Sequence, residues 1–153
     1  MKHAPLLTIA TVSLSFSAWV GAVSVSASAN VELVDPLVIT ETSSLTFGNI
    51  TNLNGSCVMQ DDGVLLASGG QTCSGSQVPA QFNISGNDGS LVDIVVQANH
   101  TEPGLTFIPK LVGSESKSLT GGSTSVQVVG TLNISNASDG NYYIPYIVTV
   151  NYQ

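Results

Sequence analysis

The last stretch of the chain, residues 141–153, reads NYYIPYIVTVNYQ and has a period of two. Its odd positions are mixed and include Pro145, Thr149 and Asn151. Its even positions are all apolar or aromatic: Tyr142, Ile144, Tyr146, Val148, Val150 and Tyr152. Because successive side chains of a β-strand point to opposite faces, this stretch predicts a terminal strand with one continuous apolar face.

That apolar face has to be covered. Burying six such side chains would contribute on the order of 10 kcal/mol as an upper bound. Pro145 has no amide hydrogen for a ladder, which predicts that the start of the strand lies at a sheet edge. An exposed apolar edge invites pairing with another chain. The cover is therefore either the protein's own first strand or a strand from another molecule.

The rest of the chain consists of short segments rich in Val, Ile and Thr, separated by clusters of Gly, Asn, Asp and Ser, and none has a helical period. Nine short strands with turns between them predict an antiparallel β-sandwich. The predicted strands are Val31 to Thr40, with a break at Asp35-Pro36, then Ser44 to Ile50, Ser56 to Gln60, Val64 to Ala67, Ala80 to Ser85, Leu91 to Ala98, Leu105 to Val112, Ser125 to Ile134 and Tyr142 to Tyr152.

Three local features refine this prediction. Residues 91–96 are nearly all apolar, with Asp93 the exception, which is typical of a central strand. Gly130 interrupts an apolar stripe and predicts a bulge or a close approach of two backbones. Residues 114–125, SESKSLTGGSTS, are of low complexity and predict a mobile loop.

The beginning of the chain predicts export. A short basic start, Met1 to His3, precedes an uncharged apolar run that is typical of a secretory signal peptide. Cleavage after Ala29 makes residues 1–29 the signal peptide and residues 30–153 a single domain, whereas the alternative cleavage after Ala22 leaves a longer mature chain. We expect no membrane insertion after cleavage, since no basic stop-transfer cluster follows the apolar run.

The charge balance argues against two classes of partner. Beyond the signal peptide the chain has Lys110, Lys117 and no arginine, against ten carboxylates. Nucleic acids and anionic membrane surfaces both require clustered basic residues. We therefore expect no nucleic-acid partner.

Cys57 and Cys73 are the only cysteines. In an exported chain an even pair predicts one disulfide. Asp61, Asp62 and Gly63 lie between them and predict a turn. The bridge should staple a hairpin or its flanks, and closing a loop of this size stabilises a fold by about 3 kcal/mol.

The chain is poor in groups that could carry out catalysis. Beyond the signal peptide it has one histidine, no arginine and no cysteine outside the predicted bridge. His100 could pair with Asp93 or Glu102, but a solvated turn explains it as well. No acidic loop has the spacing of a calcium site. We therefore predict no enzyme activity, no catalytic residue, no metal site and no cofactor.

Two motifs point to a known family. Tyr152 is the penultimate residue, Gly140 is the fourteenth from the end, and Tyr146, Val148 and Val150 fill the apolar places between them. Near the other terminus, residues 45–48 read LTFG, an apolar-x-Phe-Gly element. With these features the chain resembles the subunits of chaperone–usher pili. As a whole it also resembles an uncharacterised family of secreted bacterial proteins that is grouped with pilins.

The resemblance implies an immunoglobulin-like sandwich that is incomplete and is completed by a donor strand. The periplasmic chaperone would first occupy the groove, and with the outer-membrane usher it would pass the subunit to neighbouring identical or related subunits. The chain would then be in the periplasm in transit and on the cell surface as part of a fimbrium. The implied groove residues are Gly140, Tyr146, Val148, Val150 and Tyr152.

Two features depart from the family pattern. The pilin disulfide usually begins before the Phe-Gly element, whereas both cysteines follow it here. A donor extension exists only if cleavage falls after Ala22, and otherwise the same residues belong to the signal peptide. The candidate donor residues are Val23, Val25, Ala27, Ala29, Val31 and Leu33.

The sequence leaves a second function open. A complete sandwich could act alone in binding carbohydrate or another surface ligand, with its first strand, Val31 to Thr40, closing the sheet beside the last strand. Such a protein would be a soluble, stable monomer.

Overall fold

The computed structural model describes residues 24–153. This part of the chain contains eleven strands and no helix. The strands are β1 (Val38–Ser43), β2 (Asn49–Ile50), β3 (Gly55–Met59), β4 (Leu65–Ser68), β5 (Cys73–Ser74), β6 (Ala80–Ser85), β7 (Leu91–Ala98), β8 (Leu105–Leu111), β9 (Ser116–Ser118), β10 (Ser123–Ile134) and β11 (Tyr146–Tyr152). The all-β prediction is confirmed.

The strands form antiparallel sheets. The large sheet has the order β1-β6-β10-β3-β4, and β8 also pairs with β10. The second sheet has the order β11-β7-β9, and β2 pairs with β5 in a small third sheet. The predicted central position of residues 91–96 is confirmed, because β7 lies between β11 and β9.

The core fills the space between the sheets and has two parts. The first joins β6, β7 and β10 through residues such as Ile84, Ile94 and Val128, all fully buried. The second joins β3, β8 and β10 around Cys57 and Phe107. Leu45 and Tyr146 pack against both parts. The two sheets therefore form a sandwich whose interior is continuous at these two side chains.

The predicted disulfide between Cys57 and Cys73 is present, with the two Cα atoms 6.0 Å apart. It joins β3 to β5, just beyond the β3–β4 hairpin. The predicted turn is also present, with the Gly63 amide donating to the Gln60 carbonyl over 2.8 Å. The bridge therefore staples the flank of this hairpin to the small third sheet.

Gly130 marks a close approach of two backbones. The ladder of β10 with β8 keeps its register through Gly130, and the ladder with β3 begins there, so there is no bulge. A Cβ atom at this position would lie 2.4 Å from the carbonyl oxygen of Ile108 and 2.6 Å from the Phe107 ring. The glycine allows β8 and the Phe107 ring to approach β10.

Some predicted boundaries were wrong at the two ends of the chain. The first strand begins at Val38 instead of Val31, because Pro36 cannot donate to a ladder. The last strand begins at Tyr146 instead of Tyr142, directly after Pro145. The predicted Ser44 to Ile50 strand is reduced to β2 and a single bridge between Thr46 and Val78.

The predicted mobile loop at residues 114–125 was also wrong in part. It contains β9, which pairs with β7, and Leu119, whose side chain is fully buried. The Leu119 amide donates to the Ser90 carbonyl over 2.9 Å. One apolar residue in a polar run is enough to anchor the segment in the core.

The N-terminal residues are described only in part. Residues 1–22 of the predicted signal peptide, and the candidate donor residue Val23, lie outside the described residues. The boundary of the sandwich falls between Glu32 and Leu33, so the sandwich comprises residues 33–153. The described residues before this boundary, 24–32, contain no strand.

Candidate functional site: an open groove beside the last strand

The last strand has a neighbour on one side only. β11 pairs with β7 over its whole length, from Tyr146 opposite Ala98 to Tyr152 opposite Val92. Within residues 24–153 no strand pairs with its other side. The backbone groups on that side are therefore free to pair with an added strand.

The first strand does not close this edge. β1 pairs with β6 in the large sheet, with Ile39 opposite Ile84 and Glu41 opposite Phe82. The arrangement expected for a self-closed sandwich, with the first strand beside the last, was therefore wrong. β1 instead forms the edge of the large sheet beside β6, and the outer edge of β11 stays unpaired.

β1 carries side chains that face the interior and yet are exposed. Directly opposite residues of an antiparallel pair share one face of the sheet, so Ile39 and Glu41 lie on the same side as buried Ile84 and Phe82. Ile39 is nevertheless 40% exposed, and Glu41 is exposed as well. In the part of the chain that the structure describes, nothing covers this stripe from the opposite sheet.

A cavity of about 740 Å³ lies between the edges of β1 and β11. We call it the groove. Its walls combine apolar and aromatic side chains from both sheets with the residues that connect β10 to β11. The lining includes Ile39, Glu41, Leu45, Phe47, Phe82, Phe107, Leu132, Tyr146 and Val148. The groove is therefore an opening into the core of the sandwich.

Tyr146 lies at the junction of the two parts of the core. Its ring packs edge-on against Phe107 at a centroid distance of 5.6 Å and against Phe82 at 6.4 Å. Its hydroxyl group is buried and has no hydrogen-bond partner among the described residues. Burial, together with the nearby charge of Glu41, raises the pKa of Tyr146 to about 12. The phenol is therefore a protonated donor across the physiological pH range.

Beyond the groove, the end of β11 is held by the chain itself. The Tyr152 hydroxyl group donates to the Asp35 carbonyl over 2.6 Å and accepts from the Asn87 amide over 2.7 Å. Leu37 packs against the first part of the core. All four inward-facing residues of β11 pack against the first part of the core, but only Tyr146 and Val148 also line the groove.

The predicted groove residues thus fall into two sets. Tyr146 and Val148 line the groove, while Val150 and Tyr152 lie on the same face of β11 outside it. Gly140 also lines the groove, but from the connection between β10 and β11 and not from a strand. A Cβ atom on Gly140 would come no closer than 3.6 Å to another residue, so the structure does not require glycine there.

The candidate donor residues that the structure describes are exposed. Val25, Val31 and Leu33 are 90%, 80% and 89% exposed, and Ala27 and Ala29 are exposed too.

The Phe-Gly element contributes directly to the groove. Leu45 and Phe47 line it, and the Phe47 ring packs edge-on against Phe107 at 5.7 Å. Sequence reasoning did not identify the contribution of Ile39 and Glu41. The sequence does contain a signal for them. Leu37, Ile39 and Glu41 are two residues apart, so on an extended chain their side chains lie on one face, and here that is the buried face.

Other candidate groups lie away from the groove. His100 pairs with Glu102 at 3.1 Å in the connection between β7 and β8, and neither residue lines the groove. Asp93 accepts a hydrogen bond from the side chain of Gln153. Over residues 24–153 no group of three or more His, Cys, Asp or Glu side chains is arranged to hold a metal ion. In the same residues, no helix has the length and apolar character needed to span a membrane.

The fold and the groove together define an all-β sandwich protein whose last strand has one unpaired edge. The chain belongs to the family described as Domain of unknown function (DUF4402), whose model matches residues 37–152. This range begins one residue before β1 and ends with the last residue of β11, so the family domain is the sandwich itself. Searches of curated proteins and of solved structures gave no match.

Proposed function

We propose that the protein is a structural subunit of a secreted surface fimbria, assembled by strand addition between subunits. The observation that carries this proposal is the groove between the edges of β1 and β11, which opens the core where a further strand would fit. An extended segment laid beside β11 would form a ladder with it and place alternate side chains in the groove.

The energetic argument rests on exposed apolar surface. Ile39 and the groove side of Val148 would be covered by an added strand, and burial of apolar area is favourable by about 25 cal/mol per Å². The unpaired backbone groups of β11 would gain partners at the same time. Both contributions vanish if another element of the same chain occupies the groove.

The partners of such a subunit follow from this need. Before assembly a periplasmic chaperone would shield the groove, and an outer-membrane usher would deliver the subunit to identical or related neighbours. The alternating residues from Val23 to Leu33 are a candidate donor for the next subunit in the fibre. Mass spectrometry of the mature N-terminus tests this last point, since cleavage after Ala29 would remove most of the donor.

The direct test places a charge in the groove. Val148→Glu should abolish heat-resistant oligomers in the surface fraction of the native host and lower the amount of exported protein. Thr149→Glu is the matched control, because Thr149 is on the same strand with its side chain exposed on the opposite face. Normal oligomers and yield in the Val148→Glu variant would contradict the proposal.

One observation favours a second candidate function. Tyr142 and Tyr143 line the groove and are 42% and 86% exposed. Exposed aromatic rings beside a cavity with polar groups suit a small ligand such as a sugar. On this alternative, the exported chain should bind a member of a panel of mono- and oligosaccharides in titration calorimetry, and Tyr143→Ala should weaken that binding. The two functions differ in that only the first requires a partner strand.

A further inference from the structure

The charges that line the groove all have one sign. Glu41 and Asp139 line it, and among the described residues no lysine, arginine or histidine does. Lys110 is paired with Asp61 at 2.7 Å, away from the groove. The whole chain has a formal net charge of −7. An incoming segment therefore meets an apolar groove with an uncompensated carboxylate on its β1 side.

The position of Glu41 makes this carboxylate part of the groove. Glu41 lies directly opposite Phe82 in the β1–β6 ladder, and the Phe82 ring packs against Tyr146. A charge on the interior face of an edge strand opposes the docking of segments that cannot compensate it. In the same part of the groove, the buried hydroxyl group of Tyr146 has no acceptor within residues 24–153.

We propose that the groove is specific for an extended apolar segment of another protein that carries a lysine or arginine able to reach Glu41 and a carbonyl oxygen able to accept from Tyr146. This inference rests on the proposed function and names the chemistry of its partner. Opposite charges across an interface favour the matching partner and disfavour wrong ones.

The same argument disfavours a second copy of this chain as the occupant. Glu32 is the one charged side chain of the residues 24–33 that would enter the groove. A second acidic segment beside Glu41 adds like-charge repulsion, and its small residues at positions 27 and 29 fill little of the space. We therefore infer that the segment accepted here comes from a different, basic partner.

The test uses the exported full chain and synthetic eleven-residue peptides with acetylated and amidated ends. All peptides share one alternating apolar pattern. One is neutral, one set carries a single lysine at each position in turn, and a matched set carries glutamate. Binding is measured by calorimetry. The best lysine peptide should bind about fivefold more tightly than the neutral peptide, and its glutamate counterpart more weakly.

Three variants locate the effect. In Glu41→Gln the lysine peptide and the neutral peptide should bind with about equal affinity. In Glu115→Gln, an exposed acid that does not line the groove, it should be unchanged. Tyr146→Phe should weaken every peptide by a similar factor of about five, since only the hydroxyl group is removed.

The possible outcomes separate this inference from the proposed function. If lysine, neutral and glutamate peptides bind equally, or if the lysine preference survives in Glu41→Gln, the inference is wrong and strand addition stands. If a peptide of residues 23–33 binds more tightly than every lysine peptide, the groove takes a second copy and the inference is again wrong. If no peptide binds, the proposed function fails and the inference fails with it.

Discussion

At the scale of single residues, the packing of β10 against β8 depends on one glycine. Because a Cβ atom at position 130 would lie 2.4 Å from the Ile108 carbonyl oxygen, something in the backbone has to move when Gly130 is replaced. The close approach of β8 to β10 therefore explains why a glycine interrupts an otherwise apolar stripe.

Gly130→Ala should lower the free energy of unfolding by about 1–3 kcal/mol, as overpacked cores do. Gly140→Ala is the matched control, since its Cβ atom would make only ordinary contacts from 3.6 Å outward. It should change stability by less than about 0.5 kcal/mol. Urea unfolding of both variants measures the difference, and equal midpoints would contradict the proposed backbone contact.

The buried Tyr146 phenol should make the free energy of unfolding fall at alkaline pH. Its pKa is raised from 10.0 to about 12, mainly by burial, so the native state holds this proton more tightly than the unfolded state. The contribution is fully present below pH 10 and is lost as the pH rises through 12. Denaturant midpoints should therefore fall more steeply between pH 10 and 12 in the wild type than in Tyr146→Phe. Parallel slopes would contradict this assignment.

At the scale of elements, the disulfide holds the small β2–β5 sheet against β3. Cys57 is fully buried in the second part of the core, and Ile50 lies opposite Cys73 in the β2–β5 ladder. The bridge therefore supports the wall of the groove formed by residues 45–50.

Replacing both cysteines by serine should lower the free energy of unfolding by about 3 kcal/mol, from the loop entropy of a sequence separation of 16. The change should be visible as an earlier midpoint in urea. The wild type in reducing buffer provides the matching comparison, and it should reproduce the loss. An unchanged midpoint in both would show that the bridge adds nothing to stability.

The sequence predicted the central strands well and the peripheral ones poorly. The bounds of β6 and β7 match the prediction, because each strand places alternating apolar side chains in the first part of the core. β5 and β9 are two and three residues long, too short to have a recognisable period. Ile39 and Glu41 were missed as groove residues because their role depends on which strand β1 pairs with. Pairing is a tertiary property that alternation alone does not specify.

At the scale of the whole molecule, the groove gives strand addition a measurable signature. Backbone amides on the open side of β11 have no partner strand within the described part of the chain, and β1 lies at the edge of the large sheet. Amides without hydrogen bonds exchange rapidly with solvent.

We expect the amides on the open side of β11 to exchange rapidly in the free chain and to become protected after assembly. Protection of β7 should stay the same, since its ladder with β11, and with β9 at residues 91–93, is already formed in the free chain. Hydrogen exchange followed by mass spectrometry distinguishes the two strands. Equal protection of β11 before and after assembly would show that the added strand, if any, binds elsewhere.

The hydrogen bond of Tyr152 with Asp35 has a topological consequence. It joins the side chain of the last strand residue to the peptide that leads into β1, with the Tyr152 hydroxyl group 2.6 Å from the Asp35 carbonyl oxygen. The two points where the chain enters and leaves the sandwich are therefore adjacent. A short linker could join them into a ring, and new termini could then be opened at the exposed Asp61–Asp62 turn without cutting any strand.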